Sequence, residues 1–314
     1  MAIFKLEQQL NPIKEHPFKF EKEIQTLVEK NLGALLHLEF ICSEFSLNNF
    51  RIDTLTFDRE AKSFVIVEYK RDKSFSVIDQ GYAYLSLMLN NKADFILEFN
   101  ESQRTTLKRM EIDWSQSKVI FISPQFTNYQ REAINFKDLP IELWEIKRFE
   151  NNTISFEQIQ KTSAKESIKT ISRNDKIVEA VNKEVKVYTE QEHLQKVDFE
   201  TRELYETIKE RLLSLPDNVS IQPKKLTIDF RVDNNIFCDI VLQSGKLKIY
   251  VNLKSGELKD LQKIARDVSN VGHWGNGSYE IKLTGLEDID YIVGLLKQSL
   301  RKNSNQHNRK KSDK

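Results

Sequence analysis

Asp53 lies in the apolar stretch Phe50-Arg-Ile-Asp-Thr-Leu55. The triplet Glu68-Tyr69-Lys70 closes the run Ser63-Phe-Val-Ile-Val67, and Gln80 and Tyr84 follow shortly after. A run of that kind reads as a buried strand, and a buried strand gains nothing from ending in two charges unless those charges act on something. Side chains alternate along a strand, so Glu68 and Lys70 point one way and Tyr69 the other. If the segment around Asp53 is the preceding strand of a hairpin, its carboxylate can meet that of Glu68. Two carboxylates and a backbone carbonyl make a hard, oxygen-rich site suited to Mg²⁺ or Mn²⁺. Such an ion binds a phosphate oxygen, acidifies a water and offsets charge that develops on phosphorus. Lys70 beside it can orient or deprotonate that water, or balance negative charge. Gln80 and Tyr84 are four residues apart and share a face if the segment is helical. The plainer reading is an ion-paired strand surface and a Gln–Tyr pair of the kind many helices carry.

The elements that must position these groups are legible from periodicity. Apolar residues at Phe20, Ile24, Leu27, Val28, Leu32, Leu35 and Leu36 repeat with a helical period over residues 18–36. Three extended runs follow at 38–46, 50–58 and 63–71, with Asn48-Asn49 and Asp58-Arg59-Glu60 as turns. A helix is expected over 76–90 and a strand over 93–99. Further strands are expected at 117–123 and 141–149, with a helix near 129–136 between them. The order reads helix, three strands, helix, strand.

Beyond residue 160 the composition turns polar, and residues 160–198 read as a connector, helical in part around 175–186. A second compact segment, 199–300, opens with a helix at Leu204, Ile208, Leu212 and Leu213. Strands are expected near 225–231, 236–243 and 246–253, a helix at 260–268, a strand at 279–282 and a helix at 288–300. The last 14 residues, 301–314, contain six basic and no apolar residues and read as a disordered basic tail.

Composition narrows the class. The chain has 314 residues, 39% hydrophobic and 30% charged, with 19 Phe, which supports packed cores and two domains. No run reaches the roughly 20 apolar residues of a membrane helix, and the amino terminus lacks the apolar core of a signal peptide, so a cytoplasmic location without membrane association is expected. Cys42 and Cys238 sit among apolar neighbours and read as buried small hydrophobes. Five scattered histidines offer no zinc spacing. A net charge of +1 exerts no overall pull on nucleic acid, so any such binding rests on local patches. Arg71 and Lys73, and a second cluster of Arg104, Lys108 and Arg109, are candidates for phosphate contacts. Glu98, Glu101 and Glu111 nearby allow a solvated mixed-charge surface instead.

Asp53, then Glu68-Tyr69-Lys70 after a strand, then Gln80 and Tyr84 on a helix, resembles the PD-(D/E)XK nuclease superfamily. The Gln-x-x-x-Tyr element is similar to that of its exonuclease-type branch. The resemblance covers roughly residues 15–150 and implies an α/β fold with an αβββαβ core, a mixed sheet flanked by helices, over residues 1–159. It implies Mg²⁺-dependent (or Mn²⁺-dependent) hydrolysis of phosphodiester bonds in DNA, RNA not being excluded, in a restriction, defence or repair setting. Asp53 and Glu68 would hold metal, Lys70 would assist the water, and Gln80 and Tyr84 would position it. Another carboxylate often comes from the first helix of such folds, and Glu23 fits best, with Glu21 as the alternative. Ile52, where the family name has Pro, precedes Asp53. A homodimer is compatible with such an enzyme. The alternative is a nuclease scaffold that has lost catalysis and serves as an adaptor or nucleic-acid-binding protein.

The second segment resembles a small α+β domain of unknown function found at the carboxy end of bacterial proteins, often behind nuclease-like or restriction-associated modules. Some relatives carry the label "predicted transport protein". The resemblance transfers no catalytic residue. Within this segment, Asn270-Val-Gly-His-Trp-Gly-Asn-Gly-Ser-Tyr279 lacks the Gly-Lys-Ser/Thr ending of a phosphate loop. It reads either as a glycine-rich turn with Trp274 packed across the domain, or as a binding lip. In the latter case Trp274 stacks on a base or partner and Arg266 or Lys254 meets phosphate.

Overall fold

The computed structural model describes residues 3–6, 9–71, 76–161, 166–168, 175–215, 218–232, 235–273 and 275–304. The chain divides into two compact units, Met1–Val187 and Tyr188–Lys314.

In the first unit a two-stranded ribbon, β1 (Phe4–Leu6) and β2 (Leu10–Pro12), precedes helices α1 (Glu21–Glu29) and α2 (Leu32–Leu35). Strands β3 (Glu39–Leu47), β4 (Phe50–Asp58) and β5 (Ser63–Tyr69) follow. Helices α3 (Val77–Asn90) and α4 (Lys92–Gln103) come next, then β6 (Lys118–Ser123), α5 (Asn128–Ala133), β7 (Ile141–Arg148), β8 (Ile154–Gln158) and α6 (Lys176–Glu184). The strands form one six-stranded mixed sheet in the order β3-β4-β5-β6-β7-β8. The β3–β4–β5 meander and the β7–β8 pair are antiparallel, whereas β5–β6 and β6–β7 are parallel. The fold is mixed α/β with helices on both faces of the sheet, the αβββαβ arrangement expected.

Every residue of β5 is buried, as a central strand covered on both faces must be. Phe64 and Ile66 face a cluster with Tyr84, Leu85 and Met88 of α3. Val65, Val67 and Tyr69 face a cluster with Ile24 and Val28 of α1. Glu68 therefore projects to the α3 side, with Tyr69 on the opposite side.

Three expectations are corrected. The run 93–99, expected as a strand, lies inside α4. Phe95 and Phe99 are both fully buried and four apart, so the apolar run follows a helical period; they pack edge-on or tilted against Phe64 and Phe57. The strand that completes the core is β6. The helix expected over 18–36 breaks between Glu29 and Leu32. The helix expected at 260–268 is absent: the N–H of Ala265 bonds Asp260 Oδ2 at 2.7 Å and Lys263 adopts φ 55°, a left-handed conformation no helix can carry through.

The stretch 160–198, expected as a connector, contributes to both units. Val178 and Val181 of α6, with Val185 after it, lie in the core beside α3, and the Tyr82 hydroxyl donates to Asn182 Oδ1 at 3.1 Å. In the second unit, Glu190 of α7 (Glu190–Leu194) accepts from the Tyr205 hydroxyl at 2.7 Å.

The second unit also contains α8 (Phe199–Leu213), β9 (Val219–Pro223), β10 (Ile228–Val232), β11 (Asn235–Gln243), β12 (Lys246–Val251), β13 (Arg266–Asp267), β14 (Tyr279–Leu283) and α9 (Ile289–Ser304). Its sheet is antiparallel throughout, in the order β13-β14-β12-β11-β10-β9. Ile228, Phe230, Cys238, Ile240, Ile249, Val251 and Ile281 pack with residues of α8 and α9. It is an α+β unit. β9 was not anticipated, since a short edge strand ending in Pro223 has little periodicity to read. The helix expected to end at Leu300 runs on to Ser304, and the remainder of the basic tail lies outside the described residues.

Candidate active site

Strands β4 and β5 pair from Asp58–Ser63 as far as Thr54–Val67, and there the ladder stops. The next residues, Asp53 and Glu68, replace ladder bonds with side-chain bonds. The Asp53 N–H donates to Glu68 Oε1 at 3.0 Å, and the Tyr69 N–H donates to Asp53 Oδ2 at 3.0 Å. The two carboxylates thus sit on the same split between neighbouring strands, each held by a main-chain donor. On the α1 side, Gln25 Nε2 donates to the Asp53 carbonyl at 2.9 Å, which fixes the backbone of the aspartate.

Lys70 Nζ lies 3.4 Å from Glu68 Oε2. Across from it, α3 begins at Ser76, whose hydroxyl accepts from the Asp79 N–H at 3.3 Å. One turn on, Gln80 Nε2 donates to the Tyr84 hydroxyl at 3.3 Å, and that hydroxyl donates to the Arg51 carbonyl at 3.3 Å. Tyr84 also lies near enough to Glu68 for each to shift the other's ionisation. The structure brings Asp53, Glu68, Lys70, Gln80 and Tyr84 into one contiguous cluster.

Its electrostatics follow from burial. Glu68 is 1% exposed. Burial, and next the Asp53 charge, push its carboxyl up to about 7, against the hydrogen bond from Asp53 N–H and the charge of Lys70. Asp53 is also held above the usual carboxylate range, chiefly by burial, with the Tyr69 N–H and Lys70 opposing. Burial and the Glu68 charge raise the Tyr84 phenol, which stays a neutral hydrogen-bonding group. Two ionised carboxylates at this corner repel each other, and Lys70 beside Glu68 offsets that only in part.

The helix carboxylates separate clearly. Glu23, favoured from sequence, pairs with Arg148 at 3.2 Å, where the guanidinium also lies 4.6 Å over the Phe18 ring. Glu21, its alternative, accepts from the Arg71 N–H at 2.7 Å and adds to the negative field at Asp53. Positions two apart on a helix face different ways, so only one can turn to the strand end. Glu21 stands at this corner; Glu23 is committed elsewhere. Arg71 is fastened by that bond and by its guanidinium donating to the Lys19 carbonyl. Lys73 and Trp274 lie outside the described residues. Among the described residues no group of three or more His, Cys, Asp or Glu side chains is arranged to hold a metal ion. Gln25 escaped the sequence reading; its only signal is a polar residue beside Ile24 on the buried side of α1.

The chain is 50% identical over 303 residues to an uncharacterized protein of Haemophilus influenzae, a match that spans 96% of this chain and 100% of that one. The chain belongs to the family of that Haemophilus protein. Residues 190–302 match a domain of unknown function, DUF5655. Two solved structures show partial likeness. A repair endonuclease from Pyrococcus abyssi matches at 16% identity and TM-score 0.22, over 38% of this chain and 45% of that one. The structure of an EndoMS–dsDNA2 complex matches at 10% identity and TM-score 0.21, over 41% and 57%. This chain spans about half the length of each. No described helix is long and apolar enough to cross a membrane.

Proposed function

We propose that the first unit is a divalent-metal-dependent nuclease that hydrolyses phosphodiester bonds in DNA. The observation that carries this reading is the clasp of Asp53 and Glu68 across the end of the β4–β5 ladder. A purely structural strand end would close with ladder bonds, and a buried Glu68 carboxylate beside the half-buried Asp53 raises its energy.

The donor set fits Mg²⁺. Asp53 Oδ2 and Glu68 Oε1 are occupied by main-chain N–H groups, which leaves Asp53 Oδ1 and Glu68 Oε2, the latter 3.4 Å from Lys70 Nζ, as the oxygens for an ion. Two carboxylates suffice for an ion that keeps most of its waters and takes substrate phosphate as a further ligand. When bound, the ion would offset charge on the phosphate and acidify a water. The chain's own groups do the rest. The Lys70 ammonium orients the attacking water or balances the charge that grows on the phosphate oxygens. The Tyr84 hydroxyl, set by Gln80 and the Arg51 carbonyl, stands beside Glu68 as a neutral polar group. Glu21 tethers the backbone directly after Lys70 and adds negative field for a cation.

The deciding experiment incubates the purified chain with linear, circular and single-stranded DNA in Mg²⁺, Mn²⁺ or EDTA, alongside Lys70→Ala. Cleavage that needs metal and is lost in Lys70→Ala is the expected result. Tight DNA binding with no cleavage under any of these conditions would replace the enzyme with a binding protein on a nuclease scaffold.

A further inference from the structure

The sheet of the second unit has one face packed under α8 and α9, while the other carries charge. Across that face run Asp229 and Arg231 of β10, Asp239 of β11, Lys248 and Tyr250 of β12, Glu280 and Lys282 of β14, and Arg266 of β13. At the β12–β14–β13 end the face holds a cavity of about 320 Å³. Lys248, Tyr250, Arg266, His273, Glu280 and Lys282 line it, with the loop at Val271-Gly272 as a wall.

Three cations meet a single carboxylate there. Glu280 is already engaged: it accepts from the Tyr250 hydroxyl at 3.0 Å and lies 3.5 Å from Lys248 Nζ. Arg266 and Lys282 meet no carboxylate within salt-bridge distance among the described residues. Lys248 and Lys282 are also direct cross-strand partners. Like charges at that position repel and destabilise a sheet; Glu280 offsets Lys248 alone, and an anion above the pair would offset both. His273 stacks on the Tyr250 ring, centroids 5.3 Å apart and planes 16° off parallel, and its buried Nδ1 has no hydrogen-bond partner among the described residues. A buried ring nitrogen without a partner is costly, and a polar group of a ligand that reached it would offset that cost. Gly275 lets the loop close on this floor, since a Cβ there would come within 2.3 Å of the Tyr250 ring.

We infer that this cavity binds a phosphate-bearing ligand of mononucleotide size. Lys248, Lys282 and Arg266 would hold the phosphate, and His273 would bond a polar group of the ligand. The volume falls at the small end of small-molecule sites, large enough for one nucleotide and too small for a longer ligand to be enclosed. The phosphate can come from a free mononucleotide or from the 5′ end of a nucleic-acid strand. Those sources share the chemistry and differ in what lies beyond the cavity. The inference is independent of the activity proposed for the first unit.

Calorimetric titration of the full chain in EDTA, where metal-dependent cleavage is blocked, tests it. The probes are adenosine 5′-monophosphate, adenosine, inorganic phosphate, and a short single-stranded oligonucleotide with and without a 5′-phosphate. The expected result is saturable binding of the monophosphate with Kd below about 1 mM, and no comparable binding of adenosine. Lys282→Gln and Arg266→Glu should each weaken it about tenfold or more, and Lys297→Glu, on α9 behind the sheet, should leave it unchanged. Because Lys282 is exposed and repelled by Lys248, Lys282→Gln should also raise the melting temperature of the ligand-free protein, which separates loss of binding from loss of fold. Oligonucleotide binding that requires the 5′-phosphate, without monophosphate binding, supports the same site with a strand end as its source. Adenosine binding as tightly as the monophosphate overturns the inference. Equal affinity in Lys282→Gln overturns it, as does absence of binding by every phosphate probe. Oligonucleotide binding indifferent to the 5′-phosphate, with none of the monophosphate, replaces it with a strand-backbone surface.

Discussion

Asp53 and Glu68 hold one another through the main chain: the Asp53 N–H donates to Glu68 Oε1, and Asp53 Oδ2 accepts from the N–H of Tyr69, the residue after Glu68, both at 3.0 Å. The same four groups therefore close the strand end and present the remaining carboxylate oxygens. On the proposed function structural and chemical roles coincide, and alanine variants would confuse them. An alanine leaves a main-chain N–H without its acceptor, at a cost of about 1–3 kcal/mol. Asp53→Asn and Glu68→Gln keep a side-chain oxygen for that N–H and remove only the charge. Both should fold with stability within about 1 kcal/mol of the parent or higher, while DNA cleavage falls about 100-fold or more. Urea melts beside initial cleavage rates give the two readouts. Undiminished rates in both amide variants would remove the pair from the chemistry.

The pH dependence of stability carries the same signature. Burial and the Asp53 charge lift Glu68 from 4.5 to about 7, so between these values the folded chain binds more protons than the unfolded chain. Stability then falls as pH rises across that window, and the loss is complete above about pH 7. Below about pH 4.5 both states are protonated, so the contribution is fully present and stability no longer changes with pH through this group. The shift corresponds to roughly 3 kcal/mol, and the elevated Asp53 carboxyl adds to it with the same sign. Metal-free protein should therefore melt at a lower temperature at pH 8 than at pH 6, and Glu68→Gln should flatten this slope. Mg²⁺ favours the ionised carboxylates, so it should raise the melting temperature more at pH 8 than at pH 5. Thermal melts in EDTA and in Mg²⁺ across this range would show it, and a metal effect of equal size at both ends would contradict it.

The position of α6 makes a claim about where the first folding unit ends. Val178 and Val181 are buried beside α3, and Asn182 accepts from the buried Tyr82 hydroxyl at 3.1 Å. A fragment of residues 1–187 should unfold cooperatively in urea. A fragment of residues 1–159 exposes the α3 surface that α6 covers and should lose several kcal/mol or its cooperativity. In the full chain Asn182→Ala should cost about 1–3 kcal/mol and cost less when Tyr82 is already Phe, because the orphaned hydroxyl is then gone.

The site was largely legible because its signal is local. Glu68 and Lys70 break the apolar pattern of β5 at its last residues, and Gln80 and Tyr84 share a helix face at fixed spacing, so strand and helix geometry bring them together once the topology is known. The choice between Glu21 and Glu23 was not local. It depends on Arg148, more than a hundred residues away, which claims Glu23. The run Phe95-Ile-Leu-Glu-Phe99 suits either a strand or a helix by composition, and its packing on Phe57 and Phe64 decided for the helix. The stripe of Val178 and Val181 in α6, with Val185 just after it, is one residue wide, and the polar remainder of the helix concealed it. The cavity of the second unit depends on the pairing of Lys248 with Lys282, which the sequence does not reveal without strand register.

Gly81, between Gln80 and Tyr82 on α3, links packing to chemistry. A Cβ at this position would lie 2.4 Å from Cδ1 and 2.9 Å from Cγ1 of Ile141, a fully buried residue of β7 with little room to turn aside. Helix propensity alone favours Gly81→Ala by about 1 kcal/mol. The clash outweighs it, since overpacking a core of this density costs about 1–3 kcal/mol beyond any local gain. Relief of the clash moves α3 away from the sheet and takes Gln80 and Tyr84 with it, loosening the Tyr84 bond to the Arg51 carbonyl and its place beside Glu68. Gly81→Ala should therefore be less stable than the parent and lose cleavage activity even where it is fully folded. Ile141→Val shortens the opposing side chain by its Cδ1, so the double variant should recover both properties in part, and the two substitutions should be clearly non-additive. Urea denaturation and cleavage rates on the four proteins of that cycle measure the coupling. Additivity would mean that α3 does not need this contact to hold Tyr84 at Glu68.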